Sequence, residues 1–186
     1  MTSAIRSISI VAAAVLVAAL AQGSALAIPG ATISQFQAWA KANPALHGLS
    51  KQQTNQMTGQ PYYTAKFHAG STAGNFLANV GEDNAISDES VAVDTTSETY
   101  DILKHTDVAF AMIAAVYGSA VADDYKSANQ VGRWTLKQQR GATALYRGKL
   151  YGYEAAFFSV QLIPTSKIAA ESKRLAQCAK TDCGDD

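Results

Sequence analysis

The chain has 186 residues, 48% of them hydrophobic and 16% charged, with 15 basic residues balanced by 15 acidic ones. That length suits one domain with a sizeable core, and the balanced charge excludes the basic excess expected of a nucleic-acid binder.

The first segment carries one base, Arg6, then an uncharged run from Ile8 to Ala21 and the small-x-small sequence Ala25-Leu26-Ala27. This order predicts a signal peptide over residues 1–27, cut after Ala27, and hence a secreted or periplasmic protein. The apolar run is short for a membrane anchor, and no transmembrane segment is expected after cleavage. The mature chain, 28–186, keeps one excess acid and reads as a single domain.

Ile33, Phe36 and Ala40 recur at helical spacing behind the cap residue Thr32, and Pro44 limits the helix. Residues 47–60 are polar and short of aliphatics, as in a loop. From Pro61, the alternation of Tyr63, Ala65 and Phe67 with Thr64, Lys66 and His68 predicts a strand, followed by a turn framed by Gly70 and Gly74. Two further short strands, over 75–80 and 89–95, complete an antiparallel meander. The acid pairs Glu82-Asp83 and Asp88-Glu89 read as solvated turns without the ligand spacing of a calcium-binding hand.

Thr95 with Glu98 forms a capping-box pattern opening the strongest helix, from about Thr96. Leu103, Phe110, Ile113, Tyr117 and Val121 share one stripe of it. The charge-free run between Asp107 and Asp123 falls short of the roughly twenty residues of a membrane span, so the expectation is one long, buried core helix.

Beyond it, Arg140-Gly141 and Arg147-Gly148 read as two-residue hairpin loops, which set Gln139 opposite Ala142 and Tyr146 opposite Lys149. One face then carries Trp134, Leu136, Leu145, Leu150 and Glu154, and reads as the core. The other carries Arg133, Lys137, Tyr146, Lys149, Tyr151 and Tyr153, and reads as solvent-facing. A helix over about 165–180 ends the chain. Cys178 and Cys183 are expected to join as a disulfide in an oxidising compartment, pinning the tail of that helix.

Glu154 stands alone among aromatic and aliphatic residues. The hairpin register sets it across from Gly141 at the end of the sheet, where its carboxylate reaches water or pairs with Arg140. No Gly-x-Ser-x-Gly, His-Glu-x-x-His or Gly-rich phosphate loop occurs in the sequence. His47, His68 and His105 lie in separate segments and the two thiols have no nearby histidine, so neither a metal nor a cofactor is expected.

The sequence therefore predicts an α+β domain in which a twisted antiparallel sheet of five or six strands packs against one long helix and two shorter ones. The expected function is non-enzymatic binding of a protein partner or a small anionic or sugar-like ligand. The surface for it is the aromatic-basic face of Tyr146, Tyr151, Tyr153, Arg133 and Lys149, or a cavity beneath the sheet. The rival expectation is a secreted hydrolase using Glu154 as acid or base with a residue from another segment.

Overall fold

The computed structural model describes residues 29–70, 72–93, 106–131, 134–138, 141–156 and 159–181. The predicted signal peptide, the Thr95 and Glu98 cap, His105, Arg133, Arg140 and Cys183 lie outside them, as does the Cys178 side chain.

The class is α+β, built on one antiparallel sheet. In chain order the elements are α1 (Ile33–Ala42), β1 (Leu46–His47), β2 (Gln53–Thr54), β3 (Pro61–Ala69), β4 (Thr72–Val80) and β5 (Ile86–Val93). After them come α2 (Thr106–Tyr117), α3 (Ser119–Val131), β6 (Trp134–Gln138), β7 (Gly141–Arg147), β8 (Tyr151–Ala156), β9 (Ser159–Pro164), a 3-10 turn (Thr165–Lys167) and α4 (Ile168–Thr181). The strand order is β1-β3-β4-β5-β9-β8-β7-β6, with β2 also paired to β3. Among the described residues nine strands thus replace the expected five or six. The extra ones are the two-residue β1 at the start of the polar 47–60 stretch and β2 inside it, and a separation of the last segment into β8 and β9.

Two meanders, β3-β4-β5 and β6-β7-β8-β9, meet where β5 pairs β9, with Glu89 opposite Leu162 and Val91 opposite Val160. The helical stretch between β5 and β6 therefore carries the chain to the far edge of the sheet, and the second meander returns to the centre.

α1 begins as its sequence dictates: the Thr32 hydroxyl accepts from the Gln35 amide while the Gln35 side chain accepts from the Thr32 amide. The single long helix does not form. Gly118, at φ +87°, separates α2 from α3, a backbone conformation that glycine adopts without a Cβ clash. The apolar stripe continues across the break, since Met112, Ile113, Val116, Val121 and Tyr125 are all buried.

The inner sheet face is covered by helices and the outer face only over the second meander, while Lys66 and His68 of β3 stay exposed on the outer side. The inner face presents Tyr63, Ala65, Phe67, Phe76, Ala78, Val91, Val160, Leu162, Tyr153 and Tyr146 to α1, α2 and α3. Each large side chain so buried contributes about 1.5–3 kcal/mol. The outer face packs Leu145 and Ile163 against Ile168 and Leu175 of the C-terminal segment.

This coverage reverses the expected inside and outside of the C-terminal meander. The structure closes the first hairpin on Gln138 and Gly141, and the second on Arg147 and Gly152. Both registers differ from the expected ones by an even step, so residues keep their predicted companions: Leu145 pairs with Trp134 and Glu154, and Tyr146 with Tyr153. Tyr146 and Tyr153, however, are 1% and 0% exposed in the main core, while Leu150 is 47% exposed in the β7–β8 turn. Among the described residues no helix is long and apolar enough to cross a membrane.

Candidate functional site

α1 and α2 leave a groove of about 530 Å³ between them, lined by Ala38, Trp39 and Pro44 on one side and by Ala114, Tyr117 and Gly118 on the other. Its end is held by the Asn43 side-chain amide, which donates to the Val116 carbonyl at 2.7 Å. The Trp39 and Tyr117 rings lie nearly parallel, 17° apart with centroids 6.0 Å apart. Phe76 of β4 lies against both, at 6.0 Å and 6.4 Å. These rings fix the wall of the groove by packing, which a site on a mobile loop lacks.

Tyr117 lines the groove with its ring, but its hydroxyl is buried and makes no hydrogen bond. Beside it is Glu89 of β5, 0% exposed, with neither carboxyl oxygen hydrogen-bonded. The two groups lie close enough to act on each other's ionisation, yet no bond of good geometry joins them. Burial pushes the Glu89 carboxyl well above the usual carboxylate range; Tyr117 offsets part of this, and the Asp88 charge adds to it. Burial and the Glu89 carboxyl likewise push the Tyr117 phenol up. Tyr151, half-buried on the same face, is pushed up to about 12 by burial and by the charges of Glu89 and Asp124. Glu89 thus sits in an apolar interior that favours its protonated form, with the Tyr117 hydroxyl beside it, and a buried carboxyl without a well-formed hydrogen bond is rare.

The expected site residues are dispersed. Tyr153 is a core fastener: its hydroxyl donates to the Asp124 carboxylate at 2.7 Å, beneath α3. Tyr146 packs edge-on against Tyr125 at 5.9 Å. Tyr151 is half-buried beside Tyr153, and Lys149 is exposed in the β7–β8 turn. No open aromatic-basic face brings Tyr146, Tyr151, Tyr153 and Lys149 together.

Glu154 is not at the end of the sheet. It sits mid-strand on the outer face, between Leu145 and Gln161, with its side chain 12% exposed. Its cation is Arg174 of α4, 3.4 Å away, which also binds Glu171 through Nε at 2.6 Å. Burial and the neighbouring Glu171 carboxylate push the Glu154 pKa up to about 7, with Arg174 opposing them.

A larger, open cleft of about 950 Å³ is bordered by Glu82, Asp83, Asp88 and Lys167. Its acids are provided for: Glu82 and Asp83 face water, and Asp88 accepts from Asn79, Gln161 and Ser87 at 2.7, 2.9 and 2.6 Å. His47 and His68 come together, with ring centroids 5.7 Å apart, but among the described residues no three metal-ligating side chains share a site.

Reading Asp88-Glu89 as a solvated turn missed a fully buried acid, Glu89. The signal was the phase: Glu89 alternates in step with Val91 and Val93, so it shares their face. Comparison with known proteins found no matching family model, no matching curated protein and no matching solved structure.

Proposed function

We propose that the chain is an exported, non-enzymatic binding protein that takes a small, largely apolar ligand in the α1–α2 groove. The carrying observation is the groove wall itself: Ala38, Trp39, Pro44, Ala114 and Tyr117 make an aromatic, mostly apolar concavity. A concave apolar site with a few convergent polar groups is the usual form of a small-molecule pocket. Export is supported by Arg6, the apolar run and the Ala25-Leu26-Ala27 site. N-terminal sequencing of the secreted protein should begin at Ile28, and an intact Met1 on exported material would count against it.

The groove is tested with a neutral hydrophobic fluorophore, N-phenyl-1-naphthylamine, read by its own emission and by energy transfer from Trp39. Saturable enhancement in the wild type is expected, with loss in Ala114→Phe, which fills the groove from α2. Equal enhancement in that variant, with its circular dichroism unchanged, would move the ligand elsewhere.

One observation favours the rival hydrolase: Glu154 titrates near neutrality beside a second carboxylate, Glu171. Against it, α4 lies over this pair and Arg174 engages both acids. A hydrolase reading requires Glu154→Gln to abolish a measurable hydrolysis without disturbing the fold.

A further inference from the structure

We propose that His47 and His68 form a two-nitrogen site for a late divalent transition-metal ion, Cu(II) above all, on the outer face of the first meander. The site is separate from the α1–α2 groove and stands whether or not the groove takes a ligand. Distant in sequence, the two histidines meet only in the fold. β1 pairs with β3 so that Leu46 lies opposite Phe67 and His47 opposite Lys66. His68 is two residues beyond Lys66, hence on the same face of the sheet and one diagonal step from His47. Leu46 and Phe67 are buried, which turns their neighbours His47 and His68 outward, and both histidines are exposed. The segment after β1 is fixed too: the Ser50 amide donates to the Thr64 carbonyl at 2.8 Å, and the Thr64 amide donates to the Ser50 hydroxyl at 3.0 Å. Two packed strands thus hold the imidazoles side by side without any metal.

Their separation suits a shared ion. The ring centroids are 5.7 Å apart and the ring planes 50° apart. With metal–nitrogen bonds of about 2.0–2.1 Å, two imidazoles on one ion have centroids about 4.5 Å apart when the bonds meet at a right angle, about 5.2 Å at the tetrahedral angle and about 6.4 Å in line. The observed value lies inside this range, so side-chain rotation closes the chelate with no movement of the strands.

The chemistry selects the ion. A neutral imidazole offers one ring nitrogen as a ligand, and imidazole suits copper, nickel and zinc, of which Cu(II) binds a given nitrogen site most tightly. Among the described residues no third His, Cys, Asp or Glu joins the pair. The remaining positions are therefore open to water or an outside ligand, and the ion is exchangeable rather than structural. Lys66, between the two histidines in register, brings a positive charge that opposes the cation.

The test uses the mature chain with any reactive thiol alkylated, so that Cys178 and Cys183 do not compete. Cu(II), Ni(II) and Zn(II) are titrated by calorimetry at pH 7.5 in a non-coordinating buffer, and the bound Cu(II) is read by electron paramagnetic resonance. One Cu(II) per chain is expected, with hyperfine structure from two imidazole nitrogens and weaker binding of the other two ions. His47→Gln and His68→Gln should each lower Cu(II) affinity at least tenfold, because each strand holds its nitrogen at high effective concentration for the ion bound by the other. Lys66→Gln should tighten binding, and His105→Gln, outside the described residues, should leave it unchanged. Both site histidines are exposed, so the circular dichroism of these variants should match the wild type. A single histidine variant that keeps wild-type affinity overturns the site. So does Cu(II) bound as tightly by the His47→Gln, His68→Gln double variant, which would put the ion at the N-terminal amine or elsewhere.

Discussion

At the scale of single residues, two carboxyls in this fold have opposite fates because their partners differ. Asp124 is nearly buried, which by itself raises its pKa, but the Tyr153 hydroxyl and the amides of Leu150, Lys149 and Tyr151 hold it below the usual range. A group so depressed adds stability that is present above its unfolded pKa and is lost as pH falls through its folded value. Asp124→Asn should therefore cost about 2–3 kcal/mol at pH 7, and the difference from wild type should shrink on acidification, read by urea unfolding at several pH values. Glu154 has the reverse sign. Its folded pKa of about 7 exceeds the ordinary 4.5, so its contribution is present below 4.5 and is lost as pH rises through 7. Glu154→Gln should remove this slope and gain on the order of 1–2 kcal/mol relative to wild type at pH 8. A stability profile between pH 4.5 and 8 unchanged by the substitution would refute that assignment.

At the scale of elements, two glycines carry the connections that set the architecture, and they do so for different reasons. Gly118 has nothing near its missing Cβ, and its demand is conformational, φ +87° at the break between α2 and α3. Gly118→Ala should cost about 1 kcal/mol by denaturant unfolding. Gly148, in the β7–β8 turn, is limited by space: a Cβ there would meet Asp124 Oδ2 and the Tyr153 ring. Gly148→Ala should cost more, about 1–3 kcal/mol, because overpacking forces apart the Asp124 carboxylate and the three amides it holds. Those amides are the physical tie between α3 and the second meander, so the turn works as part of the helix interface. The same tie explains why the loop closes later than a two-residue hairpin: amides 149–151 point at Asp124 instead of continuing the ladder.

At the scale of the whole molecule, the two faces of the sheet have unequal duties. The inner face, under three helices, holds the main core together with the buried acid. The outer face, under α4, holds a small apolar cluster beside the Glu154, Glu171 and Arg174 group. A carboxyl buried in the main core without a well-formed hydrogen bond detracts from stability. Glu89→Leu should therefore stabilise the free protein by about 1–3 kcal/mol, visible as a rise of about 2–4 °C in Tm per kcal/mol. A lower Tm in Glu89→Leu would mean that the acid is structural, and calorimetric unfolding of the two proteins side by side decides it.

The sequence by itself determined the local pieces: the Thr32 cap of α1, the alternation that makes β3, the apolar stripe through Ile113 and Val121, and which residues of the last meander share a face. These follow from periods of 2 and 3.6 and from capping chemistry, which act over a few residues. Only the tertiary structure decided which of two sheet faces is the main core. Alternation fixes companions, but a tyrosine face reads as exposed until Asp124 is seen to take the Tyr153 hydroxyl and α3 to cover the ring. It also decided that Glu154 meets Arg174, and that Glu89 meets Tyr117, since in each pair the partner comes from a helix distant in sequence. Pairing across such distances is set by how helices settle on a sheet, and that depends on the summed packing of the whole core rather than on any short window of residues.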